Sequence, residues 1–257
     1  MINITIPNQK AVESTILAIF DLLFPVNHPD TNPEVPQDLN DLQQKMLNVL
    51  SGLTEDKEAV CRQFLAQLPE IRKVLVKDAD FMFESDPAAT EVIEVIAIYP
   101  GFFALFCYRI AHFLAGLGVN FLPRMIAEYA HRISGIDIHP LASIGSPFSI
   151  DHGTGIVIGA TAVIGKHVKI YQGVTLGALS VEKSTAAIKR HPSIEDHCVL
   201  YAGCTILGGE TVVGRNSVIG GNVWLTSSIA PFSVVYHKSE ILVRNHHNFQ
   251  EPVNFII

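Results

Sequence analysis

The chain has 257 residues, 18 Lys and Arg against 25 Asp and Glu, a net charge of −7 and a mean hydropathy of +0.31. That acidic balance, with no basic stripe, excludes a nucleic-acid backbone partner, and 48% hydrophobic against 17% charged residues excludes a disordered solvating segment. The longest uncharged apolar run, 95–108, is 14 residues long and broken by Pro100-Gly101, short of the roughly 20 that a membrane span needs.

The start, Met1-Ile2-Asn3-Ile4, lacks the basic n-region and long apolar h-region of a secretory signal, so a cytoplasmic location is expected. The four cysteines, Cys61, Cys107, Cys198 and Cys204, form no C-x-x-C pair and are expected to be reduced, buried small residues. The charge is unevenly placed. Residues 1–136 hold ten basic against seventeen acidic side chains, the whole of the −7, with only five glycines. Residues 137–257 hold eight of each sign and 13 glycines, with many Val, Ile and Thr. Two architectures share the chain.

In residues 1–136 the apolar positions recur at helical spacing, as in Ile16, Leu17, Phe20, Leu23 and Leu42, Met46, Leu47, Leu50. Pro25, Pro29, Pro33 and Pro36 mark a loop between the first two helices. Thr54 is a candidate cap for a helix whose first turn carries Glu55 and Asp56. Asp86-Pro87 reads as an N-cap with proline at the first helical position, opening a helix toward Ile98. Pro100-Gly101 restarts an apolar helix up to Gly116 or Gly118, and another follows through Arg132.

From residue 137 an aliphatic residue recurs every six: Ile144, Ile150, Ile158, Ile164, Ile170, Leu176, then Ile194, Leu200, Leu207, Val213, Ile219 and Leu225. Ile150 to Ile158 adds two residues and Leu200 to Leu207 adds one. Small residues two places earlier, such as Ala142, Ala162, Cys198 and Ser217, suit tight corners. Such a hexad repeat predicts a parallel β-helix whose short strands fill three faces of a prism. The expected class is therefore α+β, an α-helical domain (1–136) followed by a left-handed β-helix (137–233) and a tail (234–257). Residues 178–189 lose the pattern although Leu176 and Ile194 stay in phase, so the chain leaves the coil as a loop and returns. A loop of that length in a regular solenoid is more often functional than idle.

Chemistry-bearing residues gather at the irregularities: Asp137-Ile138-His139-Pro140 opens the coil, Asp151-His152-Gly153-Thr154-Gly155 fills the two-residue insertion, and Arg190-His191-Pro192 closes the loop. His152 with Asp137 has the composition of a general base and its orienting acid, and equally of a turn cap beside a satisfied corner histidine. Arg190 with His191 has the composition of a carboxylate clamp, and equally of an exposed charged loop end. For Asp86 a helix cap is a sufficient reading.

This ordered set, with Gly101-Phe102, Tyr108-Arg109-Ile110 and Thr175-Leu176-Gly177, resembles the serine O-acetyltransferase family over roughly residues 80–233. The resemblance implies transfer of acetyl from acetyl-CoA to L-serine, giving O-acetylserine for cysteine synthesis. It implies His152 as general base with Asp137 orienting it, Asp86 and Asp151 on the substrate ammonium, and Arg190 and His191 on its carboxylate. It further implies that the small residues Gly177, Ala178, Ala202, Gly203 and Gly220 admit CoA along the coil, with no metal. Partners implied are a second copy of the chain (a trimer, or a dimer of trimers joined through the helical domain, which brings Asp86 to the site), L-cysteine as feedback inhibitor, and O-acetylserine sulfhydrylase through the terminal Ile257. The chain departs from the family at Ala178-Leu179-Ser180-Val181-Glu182-Lys183, where a Gly-rich loop is usual, and at Val234-Val235-Tyr236-His237-Lys238, where Gly-Val-Pro-Ala is usual. The alternatives are a hexapeptide acetyltransferase for homoserine, a sugar or an amine, which needs no zwitterion set; a metal-dependent hydratase, for which His191 and His197 are the one candidate pair; and a non-enzymatic scaffold.

Overall fold

The computed structural model describes residues 6–25, 39–179 and 188–238. The middle of the loop after Ala178, the prolines at 29, 33 and 36, and Ile257 with its proposed sulfhydrylase contact lie outside the described residues.

Six helices come first: α1 (Gln9–Leu23), α2 (Leu39–Leu50), α3 (Lys57–Ser85), α4 (Val92–Ile98), α5 (Pro100–Gly116) and α6 (Leu122–Ser134). Their starts and stops follow local chemistry. The Asn8 side chain accepts from the Lys10 N–H to cap α1, and α6 ends on Gly135 at φ +71. The cap of α3 is Asp56, whose carboxylate accepts from the Ala59 N–H at 2.8 Å, and not Thr54; the carboxylate is the stronger acceptor and stands directly before the first turn. Asp86 does not open a helix. It ends α3, and its Oδ1 accepts from the Ala88 N–H at 2.8 Å in a turn before α4 begins at Val92. The same Asp-Pro pair that favours an N-cap also favours such a turn.

Tyr99, held extended by the following proline, separates α4 from α5, which meet at 71°. No single helix among the described residues is long and apolar enough to cross a membrane. Phe20, Phe24, Phe102, Phe103 and Phe106 pack as tilted and edge-to-face rings in the core between α1 and α5. All four cysteines are buried as free thiols.

The strands wind as a three-faced parallel solenoid. The first face stacks β1 (Asp137–Ile138), β4 (Val157–Ile158), β7 (Thr175–Gly177), β10 (Thr205–Leu207) and β13 (Trp224–Leu225). The second stacks β2 (Ser143–Ile144), β5 (Val163–Ile164), β8 (Ser193–Ile194) and β11 (Val212–Val213). The third stacks β3 (Phe148–Asp151), β6 (Val168–Tyr171), β9 (Val199–Leu200), β12 (Val218–Ile219) and β14 (Val234–Val235). The hexad aliphatics point inward; Ile144, Ile164 and Ile194, for example, are aligned neighbours on the second face. After the loop, β8 joins β5 in register (Val163↔Ser193), so the coil resumes on the next face. One repeat assignment changes. Ile206, fully buried, is the inward residue of its rung, and Leu207 is only partly buried. The extra residue therefore lies in the turn after Leu207, not before it.

Helices and coil are clasped through one buried carboxylate. Asp78 of α3, fully buried, receives Arg109 Nη2 of α5 at 3.0 Å, Ser146 Oγ at 2.8 Å and the Phe148 N–H at 3.0 Å. Arg109 also donates to the carbonyls of Ile144 and Gly145, at 2.6 and 2.7 Å. Tyr108 donates its hydroxyl to Ala142 O at 2.7 Å and accepts from the Ile144 N–H at 3.1 Å. This clasp seats the end of α3 against β3 and thereby sets the first half of the site.

Candidate functional site

The residues singled out from the sequence fall on two corners of the solenoid. At the corner between the third and first faces, β3 ends on Asp151 and the inserted His152 follows at φ +57, the left-handed corner conformation that His167 and His197 also adopt. That conformation turns the imidazole outward, with 73% of the side chain exposed and Nε2 3.6 Å from Asp151 Oδ1. Asp86 arrives beside them at the end of α3. Its second oxygen accepts from the Tyr99 hydroxyl at 2.7 Å. The Tyr99 and Ala88 donors hold the Asp86 carboxyl below the usual carboxylate range, and the Tyr99 hydroxyl is in turn pushed up to about 12. Asp86, Tyr99, Asp151 and Lys169 line a small pocket floored by Met82 and Ile150.

Lys169 was not singled out from the sequence. It lies one rung along the third face, its Nζ 2.9 Å from Asp151 Oδ2 and donating to Ser85 O at 2.6 Å. Burial works against its charge, but the bonds to Tyr171 and Asp151 prevail and raise its pKa. Asp86 and Asp151 together carry two negative charges, and Lys169 cancels one, so a single further cation balances the pocket. Counting one rung on from Asp151, which pairs with Tyr171, identifies Lys169 as an outward neighbour two residues earlier. Tyr99 carries no such signal.

The second group lies along the first face and its corner with the second. Asp137 opens β1, with Oδ1 4.0 Å from Arg124 Nη1. His139, two residues on, accepts from the Leu141 N–H at 3.1 Å; burial first, then Arg124, lower its pKa, against the pull of Asp137. Arg190 and His191 come back from the loop at the same corner. Thr161 anchors both: its Oγ1 accepts from the Arg190 and His191 N–H groups at 2.9 and 3.1 Å, and its own N–H donates to His191 Nδ1 at 3.1 Å. An Nδ1 that accepts leaves Nε2 as the donor of a neutral ring. Burial, then Arg190, push the His191 pKa down to about 4, so the ring is neutral at pH 7 and the positive charge of this corner rests on Arg190 and on Lys189, whose Nζ donates to Thr161 O at 2.9 Å and to His191 O at 2.7 Å. Gly159 makes room for it. A Cβ there would lie 2.0 Å from His191 Cδ2 and Nε2.

The small residues divide the same way. Ala202, Gly203 and Gly220 lie at the third-to-first corner, on rungs beyond His152, and Gly177 and Ala178 at the first-to-second corner. At φ +71, with a Cβ position 2.5 Å from Asn222 Oδ1, Gly203 is required by the turn itself. His191 and His197 lie on different corners, His197 instead stacking on His167 with ring centroids 4.6 Å apart. No group of three or more His, Cys, Asp or Glu is gathered as a metal site among the described residues.

No protein-family model matches the chain. It is similar to the plasmid serine acetyltransferase of Synechococcus elongatus, 49% identical over 188 residues, which are 71% of this chain and 59% of that protein. It is also similar to the serine acetyltransferase of Bacillus subtilis, 45% identical over 128 residues, 50% of this chain and 57% of that one. The chain thus matches less than two thirds of the length of these relatives. Among solved structures, serine acetyltransferase isoform 3 of Entamoeba histolytica in complex with cysteine matches with a TM-score of 0.79 and 36% identity, covering 90% of this chain and 84% of that one. Serine acetyltransferase of Neisseria gonorrhoeae in complex with serine matches with a TM-score of 0.66 and 28% identity, covering 88% and 82%.

Proposed function

The chain belongs to the serine acetyltransferase family, and from that premise we propose that it transfers the acetyl group of acetyl-CoA to the hydroxyl of L-serine, the entry step of cysteine synthesis. The observation that carries this reading is the convergence of Asp86, Asp151 and the outward imidazole of His152 at one corner. Two carboxylates with one balancing lysine suit an ammonium, and an exposed imidazole beside them suits the hydroxyl of the same small molecule.

In this reaction His152 takes the proton of the serine hydroxyl as that oxygen bonds to the thioester carbonyl carbon. When the carbon–sulfur bond breaks, the same imidazolium returns the proton to the CoA thiolate. A neighbouring carboxylate stabilises the imidazolium between the two transfers; Asp151 faces His152 within the chain, and Asp137 is the orienting acid by resemblance to the family. General catalysis of this kind contributes about 100- to 10,000-fold.

The substrate's carboxylate needs Arg190 and the Nε2–H of His191, which belong to the other corner. A complete zwitterion site therefore forms where the third-to-first corner of one copy meets the first-to-second corner of another, and a ring of identical copies closes that contact. We take the assembly to be a trimer, or a pair of trimers, with CoA lying in the groove between copies against the small residues of both corners.

L-Cysteine offers the same ammonium and carboxylate with a thiol in place of the hydroxyl, and inhibits by occupying the serine subsite. Initial-rate measurements should give inhibition competitive with L-serine and abolished together with serine binding in Asp86→Asn; inhibition unaffected by serine concentration would remove this element. The reaction itself is tested by free-thiol release from acetyl-CoA with L-serine, L-homoserine and a hexose side by side. L-Serine should be preferred, and preference for the hexose would overturn the assignment.

A further inference from the structure

The pocket between Asp86 and Asp151 contains its own cation, and the placement of that cation bears on the base beside it. Lys169 is anchored at three points: its Nζ lies 2.9 Å from Asp151 Oδ2, donates to Ser85 O at 2.6 Å and sits 4.6 Å from the centre of the Tyr171 ring. Ser85 is the last residue of α3, so Lys169 meets the negative end of that helix one residue before Asp86. The side chains of Lys169 and Asp151 are only 13% and 17% exposed. The two oxygens of Asp151 are thereby divided. Oδ2 belongs to Lys169, and Oδ1 faces His152 Nε2 at 3.6 Å. The space left in the pocket is about 10 Å³, room beside Lys169 for one water-sized group such as an ammonium.

A general base must be unprotonated when its substrate arrives, and every carboxylate near an imidazole favours the imidazolium. Several surround His152. Asp151 of β3 adjoins it, Asp86 at the end of α3 is within electrostatic reach of it, and Glu94 of α4 is within reach of Asp86. Asp137 of β1 is its orienting acid by resemblance to the family. Tyr99, between α4 and α5, and Tyr171 of β6 are the phenols of the same group. Among the described residues, the cation that this group contacts is Lys169 of β6; Arg190 joins it from another copy in the proposed assembly.

We infer that Lys169 is a positioning residue for the reaction: it offsets one charge of the Asp86–Asp151 pair, so that His152 meets serine as a free base and the substrate ammonium neutralises the charge that remains. The inference rests on His152 being the base of serine acetylation. With the ammonium in place, the charges of Asp86, Asp151, Lys169 and substrate sum to zero. The imidazolium formed during transfer then keeps its closest contact, Asp151 Oδ1, which Lys169 leaves open by holding the other oxygen.

The pH profile of kcat/KM for L-serine, at saturating acetyl-CoA and fixed ionic strength, separates this role from a structural one. Lys169→Gln keeps a donor for Ser85 O without the charge, Lys169→Met removes both, and Lys169→Arg keeps the charge. The acidic limb should move up by about half a pH unit to one unit in Lys169→Gln and in Lys169→Met, the worth of one charge two contacts away at a partly exposed site. It should stay in place in Lys169→Arg. A lysine that only ties helix to coil would instead lower the unfolding midpoint of Lys169→Met and leave the limb at its wild-type position. That result, or an equal shift in Lys169→Arg, would overturn the inference while serine-dependent thiol release by the wild-type protein upholds the reaction. Wild-type protein that releases no thiol with L-serine would overturn the proposed reaction and this inference with it.

Discussion

The neutral state of His191 follows from burial first and the neighbouring Arg190 second, with the Thr161 N–H filling Nδ1 and the Gly159 Cα admitting the ring. Gly159→Ala must move the imidazole off its Thr161 anchor. The KM for L-serine should rise about 10-fold, the worth of one hydrogen bond to a charged group, with acetyl-CoA KM unchanged; an unchanged serine KM would show that His191 does not touch the substrate. The low pKa also has a sign for stability. A histidine near 6.5 when unfolded and about 4 when folded binds its proton more readily in the unfolded chain, so its contribution is complete above pH 6.5 and is lost as pH falls toward 4. Urea midpoints measured across that window should fall less steeply in His191→Gln than in wild type. At this scale the sequence was legible by type and not by place. It offered His152, Asp86, Asp151, Arg190 and His191, yet Thr161 and Gly159 looked like ordinary coil residues, because their role depends on a loop that returns beside them.

Elements were most legible where one physical demand repeats. An inward aliphatic every sixth residue is the condition for closing a thin prismatic core, and it foretold three faces, the two-residue insertion at His152 and the in-phase return at Ile194. Leu207 was misplaced because Ile206 and Leu207 are both aliphatic and only burial separates them. Asp86 was misplaced because a carboxylate before proline satisfies an N–H two residues on in a turn as well as in a helix. The docking of helices onto the coil left no periodic trace, since it depends on the Asp78–Arg109 clasp, two residues 31 positions apart. Arg109→Met should destabilise the fold by about 3–5 kcal/mol, because it strands a fully buried carboxylate, and should displace the end of α3 from β3. A stability change below about 1 kcal/mol in chemical denaturation would mean the pair is neutral to the fold.

For the whole molecule, the net charge of −7 belongs to the helical part, while the solenoid is neutral with charges placed by position. The bulk figure offers no basic stripe to a nucleic-acid backbone and says nothing of the substrate. What the single chain does say is that the Asp86–Asp151 pocket and the Arg190–His191 pair occupy different corners, which the proposed assembly would join. Counting hexads could have shown this in advance, had the loop been known to return at the first-to-second corner. Co-expression of two differently tagged inactive proteins, His152→Ala and Arg190→Ala, followed by purification of the mixed oligomer through both tags, tests the arrangement most directly. Each variant keeps the corner that the other lacks, so serine-dependent thiol release should return at about one in three sites of each mixed trimer, since a ring holding both variants has one junction where two intact corners meet. Mixed oligomers as inactive as either parent would contradict a serine site built from two copies of this chain.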